Sequence, residues 1–346
     1  MNISTIGTGT IVESFIKGIN LAENASLEAV FSRSESKAKA FADSNKAKKF
    51  YTNIDEMLKN KDSDTIYIAS PNSLHYEQAL KALEAGKNVI IEKPFVSTLK
   101  QANTLFNIAK EKGLFVFEAI STIHLPNYKI IKENLHKVGK IKLLTLNFSQ
   151  FSSRYLKYIN NEQTNVFDPK FSGGALADLN VYNIHFTVGL AGKPKSYKYY
   201  PNVGYNGIDT SGVMILAYDD FTATLIAAKD STSEYLFFIQ GDKGTIRISG
   251  SSCGVCKNVD LFLLGDSAKN SDGISKFKGF SLENSFSPIG INQVHHLSYE
   301  IADFARIVKE KDYAEYEKLK EQTLTVMEIM FKARTEAGIK FAADAE

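Results

Sequence analysis

The chain has 346 residues, of which 44% are apolar and 23% charged, and a formal net charge of +2. That length exceeds what one hydrophobic core usually organises, so two domains are expected, and the composition is that of an ordinary soluble globular protein. The basic residues are dispersed, leaving no electrostatic footprint for nucleic acid or an acidic membrane surface; neither partner is expected.

In chain order, "MNISTIGTG" enters a strand-like run at once, without a basic leader and apolar segment. No later stretch reaches the apolar length of a membrane helix, so the expected location is the cytoplasm. "ISTIG" precedes a helix near residues 10 to 22, and "LEAVFS" a helix through "SESKAKAFADSN". "DTIYIAS" then leads to "LHYEQALKALEAG", whose apolar spacing is helical and whose stop is Gly86. "NVIIEK" leads to "TLKQANTLFNIAKEKG", and "LFVFEA" closes the series. Strand and helix alternating in this way predict parallel βαβ units in a doubly wound sheet, assigned to residues 1–122.

After about residue 125 the rhythm changes. "KIKLLTLNFSQF", "SGVMILAYDDFTATLIAAKD", "EYLFFIQGDKGTIRISG" and "NVDLFLL" read as strands joined by short turns, the pattern of an antiparallel meander. A helix around "GGALADLNVYNIHFTVGLAG" interrupts it, and two long helices near 292–310 and 313–337 follow. Residues 123–346 are therefore expected to form an α+β domain on a large, mainly antiparallel open sheet. The Ser-, Gly- and Asn-rich stretch near 265–288 reads as a mobile loop.

Two cysteines stand as "CGVC", Cys253 and Cys256. A redox dithiol sits at a helix N-terminus, whereas this stretch reads as a loop entering a strand, and no third and fourth ligand stand nearby for zinc. Two reduced thiols are expected, and no metal site.

Gly7-Thr8-Gly9 follows the first strand and opens a helix with Thr10 and Ile11. Gly7 permits the tight turn, and Gly9 lets the backbone approach a pyrophosphate at the helix N-terminus. Val12 fills the third glycine position of the dinucleotide fingerprint, which implies a slightly displaced helix. At the end of the second strand, Ser32, Arg33 and Ser34 offer a guanidinium and two hydroxyls with no carboxylate before Glu35, which favours NADP over NAD. The alternative is that Arg33 merely covers the surface.

Three stretches, "GTGTIV", "ASPNSLHYEQALKALEAGKNVIIEKPF" and "GGALADLNVY", together with the two-part architecture, resemble the glucose-fructose oxidoreductase / inositol dehydrogenase / rhizopine catabolism (Gfo/Idh/MocA) family over nearly the whole chain. In motif the sequence looks most like the dimeric dihydrodiol dehydrogenase branch. The resemblance implies an N-terminal Rossmann domain, a C-terminal substrate-binding and dimerisation domain, and a homodimer or dimer of dimers. It also implies that Lys93 is catalytic. Glu92-Lys93-Pro94 stands at the carboxyl end of a buried strand, where a parallel sheet binds its ligand, and a proline there can hold a cis bond in a tight turn that aims Lys93 into the cleft. Lys93, its pKa lowered in a closed site, would donate to the substrate oxygen.

Asp178, Tyr182 and His185 are spaced i, i+4 and i+7, one face of a helix. By resemblance, Tyr182, its phenol acidified by Lys93, exchanges the hydroxyl proton, and Asp178 orients the substrate hydroxyl or the lysine. His185 is either a substrate contact or a packed histidine. Ser70, Pro71, Asn72 and His75 correspond to residues lining the cofactor, although "SPN" is also good capping chemistry. In "ISTIHLP", Ser121 and Ile123 depart from the branch's pattern and His124 adds a polar group as a candidate substrate contact, so the substrate side of the pocket is expected to differ. The expected activity is hydride transfer between a nicotinamide and a secondary alcohol or ketone of a sugar, polyol or diol. The alternatives are a nicotinamide-binding sensor or partner-binding protein without turnover, and a redox catalyst that retains its cofactor. Successive apolar residues in "MILAY" and "TLIAA" suggest a sheet face covered by a second copy.

Overall fold

A computed structural model describes residues 1–264 and 286–345; the expectation of a mobile loop at 265–288 falls mostly outside them. The first six strands are β1 (Asn2–Ile6), β2 (Ser26–Phe31), β3 (Lys49–Tyr51), β4 (Thr65–Ile68), β5 (Asn88–Glu92) and β6 (Val116–Ala119), all parallel in the order β3-β2-β1-β4-β5-β6. Between them run α1 (Thr10–Ile19), α2 (Glu35–Asn45), the short α3 (Ile54–Leu58), α4 (His75–Glu84) and α5 (Leu99–Lys112). Strand and helix thus alternate as the sequence predicts; only β3 and α3, each too short to show a period, were not expected. The strands are apolar on both faces because helices cover both, as β4 and β6 illustrate with every residue buried. In α1, Val12, Phe15, Ile16 and Ile19 recur at helical spacing and face the sheet. In α5, Thr98 caps the first turn by accepting from the Gln101 amide, and Gly113, at φ +65, ends the helix.

The second half contains α6 (Pro126–Asn134), β7 (Ile141–Ser149), α7 (Tyr155–Ile159), α8 (Val181–Ala191), β8 (Ser196–Val203), β9 (Asp209–Ala217), β10 (Thr222–Ala228), β11 (Leu236–Gly241), β12 (Gly244–Ser249), β13 (Asn258–Leu263) and β14 (Ser287–Pro288). The eight strands form one sheet in the order β14-β13-β12-β11-β7-β10-β9-β8. Its hairpins are antiparallel as expected, but β7 and β10 pair in parallel at the centre, which a meander does not contain. This pairing brings the carboxyl ends of β7 and β10 to the same edge, and the consequence appears in the site below.

Two long helices, α9 (His296–Glu310) and α10 (Tyr313–Glu336), complete the described chain. Leu297, Ile301, Phe304 and Ile307 of α9 join the core of the parallel sheet, while Val326, Ile329, Met330 and Ala333 of α10 join that of the second sheet. The C-terminal helices therefore tie the two cores together.

Candidate active site

The carboxyl ends of β1, β4 and β5 lie side by side, with Ile6 opposite Ile68 and Ile68 opposite Ile91. A cleft of about 690 Å³ opens there. Gly9, Thr10 and Ile11 line it from the first turn, Ser70, Pro71, Asn72 and His75 from the turn after β4, and Glu92 and Lys93 from the end of β5. Asp178 and Tyr182 face them from the second half, together with Arg154, Asn165, Val166, Phe171 and Gly173, none of which the sequence singled out.

The glycine turn fits a dinucleotide. Gly7 has φ +118, and a Cβ there would lie 2.8 Å from the Ala69 carbonyl oxygen, so only glycine fits. A Cβ on Gly9 would meet nothing within 4 Å; it would fill the open space above the N-terminus of α1, where backbone amides favour an anion. Val12 is fully buried beneath this turn, with a methyl 3.3 Å from the position of that hypothetical Gly7 Cβ. Ser32, Arg33 and Ser34 follow β2, whose last residue, Phe31, accepts a hydrogen bond from the Gly7 amide at 3.3 Å. They stand beyond the cleft's lining; Arg33 is exposed and makes no ion pair among the described residues.

Across the cleft is a cluster of charge. Lys93 precedes a cis bond to Pro94. Its ammonium donates to the Asp178 carbonyl and to Asp178 Oδ1, both at 2.8 Å, and stands 4.9 Å from the centre of the Tyr182 ring. The second Asp178 oxygen, Oδ2, is held by Lys229, a buried lysine immediately after β10. Burial alone would raise the Asp178 pKa, but the charges of Lys93 and Lys229 outweigh it and hold the carboxyl well below the usual range. Burial would likewise depress Lys93, yet the Asp178 carboxylate beside it reverses the sign and keeps the ammonium protonated. Tyr182 is raised by burial, against which the attraction of Lys93 is insufficient. The expected lowered lysine and acidified phenol are thus corrected: the ion pair with Asp178, invisible in sequence, holds Lys93 protonated, and burial keeps the Tyr182 phenol neutral. The signal for Lys229 was available. "TLIAAKD" is an apolar strand ending on charge, as is "NVIIEK", but without the parallel β7–β10 pairing nothing placed it at the same edge.

The buried carboxyl of Glu92 accepts the Tyr67 hydroxyl at 2.5 Å, and desolvation raises its pKa to about 7. The His75 ring is fully buried, with Nδ1 3.2 Å from the Pro94 and Phe95 carbonyl oxygens and Nε2 3.0 Å from that of Ser70, so it ties the turn after β4 to the lysine turn. Asn72 spends its amide on the Ser172 carbonyl at 2.9 Å rather than leaving it free for a ribose or phosphate, which links the two walls of the cleft.

Neither histidine considered as a substrate contact reaches the cleft. Asp178 lies in a π-helical turn, Leu176–Asn180, that precedes α8. The wider turn shifts the phase, so Asp178 and Tyr182 share the cleft while His185 rotates into the core. There its Nε2 is 3.1 Å from Glu118 Oε2, though not aligned for a hydrogen bond, and Gln322 approaches Nδ1 at 3.3 Å. His124 is buried against Phe304, with Nδ1 2.8 Å from Asp303. Ser121, Ile123 and His124 therefore do not alter the cleft wall directly. Ser121 instead donates to the Gly254 carbonyl at 2.9 Å, and Gly254 packs against Tyr182, where a Cβ would come within 3.0 Å of the ring. Cys253 and Cys256 on either side are buried free thiols, both raised in pKa by desolvation. Among the described residues no group of His, Cys, Asp and Glu could hold a metal ion, and no helix is long and apolar enough to cross a membrane.

Residues 1–120 match the model of an oxidoreductase family with an NAD-binding Rossmann fold, and residues 132–247 match the GFO/IDH/MocA C-terminal domain. The scyllo-inositol 2-dehydrogenase (NADP(+)) IolU of Bacillus subtilis (strain 168) is 35% identical over 344 residues, 99% of each chain. The chain belongs to the Gfo/Idh/MocA family. Within this family it is also 28% identical to a trans-1,2-dihydrobenzene-1,2-diol dehydrogenase of Xenopus laevis over 252 residues, 70% of this chain and 73% of that one. The 3-ketoreductase KijD10 of Actinomadura kijaniata, solved with NADP and TDP-benzene, shares the fold with a TM-score of 0.82 over 97% of both chains at 19% identity. As a Gfo/Idh/MocA protein, the chain is a nicotinamide-dependent dehydrogenase or reductase acting on CH–OH groups.

Proposed function

We propose that the enzyme transfers hydride between NADP and a secondary alcohol or its ketone in a sugar, polyol or diol, with Lys93, Tyr182 and Asp178 as the proton-handling residues. The observation that carries this reading is the Lys93 ammonium, paired with Asp178 and standing over the Tyr182 ring, in the same cleft as the Gly7–Gly9 turn. The relatives support it: IolU is named for NADP and for a cyclic polyol.

Gly7 through Ile11 would hold the pyrophosphate at the N-terminus of α1. Ser32, Arg33 and Ser34 would meet the 2′-phosphate, and Ser70, Pro71, Asn72, His75 and Glu92 would shape the wall beside the ribose and nicotinamide. The bound nicotinamide supplies the acceptor or donor of hydride. In the reducing direction the carbonyl oxygen needs one proton. Tyr182 gives it from its neutral phenol, the adjacent Lys93 charge stabilises the phenolate that remains, and solvent in the cleft reprotonates the tyrosine. Asp178 holds the Lys93 ammonium in place. Acid–base help of this kind contributes about 10² to 10⁴ in rate.

The test is a spectrophotometric screen of NADP(H) and NAD(H) against sugars, polyols, inositols and cyclic diols. One nicotinamide should be converted per product formed. Product without net change in nicotinamide absorbance would mean a retained cofactor and a different reaction class.

A further inference from the structure

Lys229 is more than a structural lysine at a strand end. Its side chain is 6% exposed, and its ammonium contacts the catalytic carboxylate. The neighbouring Asp230 does not serve as its counter-ion: one of its carboxylate oxygens accepts the hydroxyls of Thr210 at 2.7 Å and Ser211 at 2.8 Å. Lys93 and Lys229 thus share the single charge of Asp178, and this trio carries one positive charge in excess beside the cleft.

From this geometry we infer that Lys229 makes the pocket discriminate between the redox states of the nicotinamide, binding the reduced, uncharged ring more tightly than the oxidised, cationic one. The inference rests on the nicotinamide reading above. NADPH and NADP⁺ present the same phosphates to the protein and differ at the ring, where the oxidised form carries an additional positive charge. A fixed positive charge within several ångströms, in a medium of reduced dielectric, penalises only the oxidised ring. Of the other acids nearby, Glu118 and Asp230 do not line the cleft. Glu92 accepts from Tyr67, and burial raises its pKa to about 7. Glu300, enclosed with both oxygens unpartnered, is raised well above the carboxylate range by burial and by Glu92. From a mixed pool the enzyme would therefore load the reduced cofactor and meet its substrate ready to reduce a carbonyl.

The experiment is a fluorescence or calorimetric titration of the full-length protein with NADPH and with NADP⁺ at about pH 6, below the value of about 7 at which Glu92 titrates. Wild type should bind NADPH about tenfold or more tightly than NADP⁺, with tenfold corresponding to ~1.4 kcal/mol. Lys229→Met should reduce that ratio by about tenfold, and Lys229→Arg should keep it. Lys229→Gln, equally neutral but able to hydrogen-bond, should reduce it as Lys229→Met does and takes its place if Lys229→Met does not fold. A ratio lost in the neutral variants and kept by Lys229→Arg is not what general damage to the fold produces. A wild-type ratio near one, or a ratio that the neutral variant leaves unchanged, overturns the inference while sparing the proposed function. Wild type that binds neither nucleotide contradicts the function itself.

Discussion

Lys93 and Lys229 each follow immediately on the last residue of an apolar strand, β5 and β10, and they meet on one carboxylate. The first was legible in the sequence because Glu92-Lys93-Pro94 breaks a buried run with charge at the ligand-binding edge of a parallel sheet. The second was not, because the same signal at "AAKD" sits in a sheet whose central parallel pair cannot be read from hairpin turns. The protonation states were misjudged for a related reason. Burial alone lowers a lysine, and only the position of Asp178 reveals that the sign reverses. Arg33 is the remaining test at this scale. It is exposed and unpaired among the described residues, beside the glycine turn, so Arg33→Ala should weaken NADP by about tenfold or more, as loss of a charge-assisted phosphate contact would, and leave NAD nearly unchanged. Equal weakening of both in titrations would remove the 2′-phosphate contact.

The decisive element is the helical segment from Leu176 to Ala191. Its sequence predicts one helix with Asp178, Tyr182 and His185 on a single face, and the first two do share the cleft. The π-helical opening turn breaks the spacing, and local periodicity gives no sign of it. Tertiary contacts accompany it: Asp209 accepts from the Leu176 amide at 2.6 Å, and the Asn180 and Asn183 side chains donate to β10 carbonyls at 3.2 and 3.0 Å. His185 consequently serves the core, facing Glu118, whose other oxygen accepts from the Phe95 amide in the lysine turn at 3.1 Å. His185→Leu should destabilise the fold by about 1 to 3 kcal/mol in urea unfolding, because it takes the polar neighbour from the buried Glu118 Oε2. Unchanged stability with a raised KM would return His185 to the substrate.

At the scale of the whole molecule, the strand-helix alternation and the doubly wound sheet were legible because parallel strands covered on both faces are continuously apolar. We propose that the chain divides after residue 122, with α9 and α10 bridging both parts. The bridging was hidden because an amphipathic helix does not reveal in sequence which core receives its apolar face. The large sheet packs its inner face on the second core. On its outer face Val213, paired with Ile226, and Phe238, paired with Thr145, are only partly covered, and Leu143 is 51% exposed. A second copy of the chain against this face is the arrangement we propose, consistent with the apolar content of these strands. Light scattering at micromolar concentration should give twice the chain mass of 38.4 kDa; the mass of a single chain would contradict it.

The account as a whole depends on Lys93 acting at the reacting centre, and the most direct measurement is the turnover number of Lys93→Met set beside its affinity for NADPH. We predict a fall in kcat of about 10² or more with NADPH affinity altered by less than about threefold, as expected for a group that acts on the proton rather than on cofactor binding. A mutant that turns over at the wild-type rate would contradict the account.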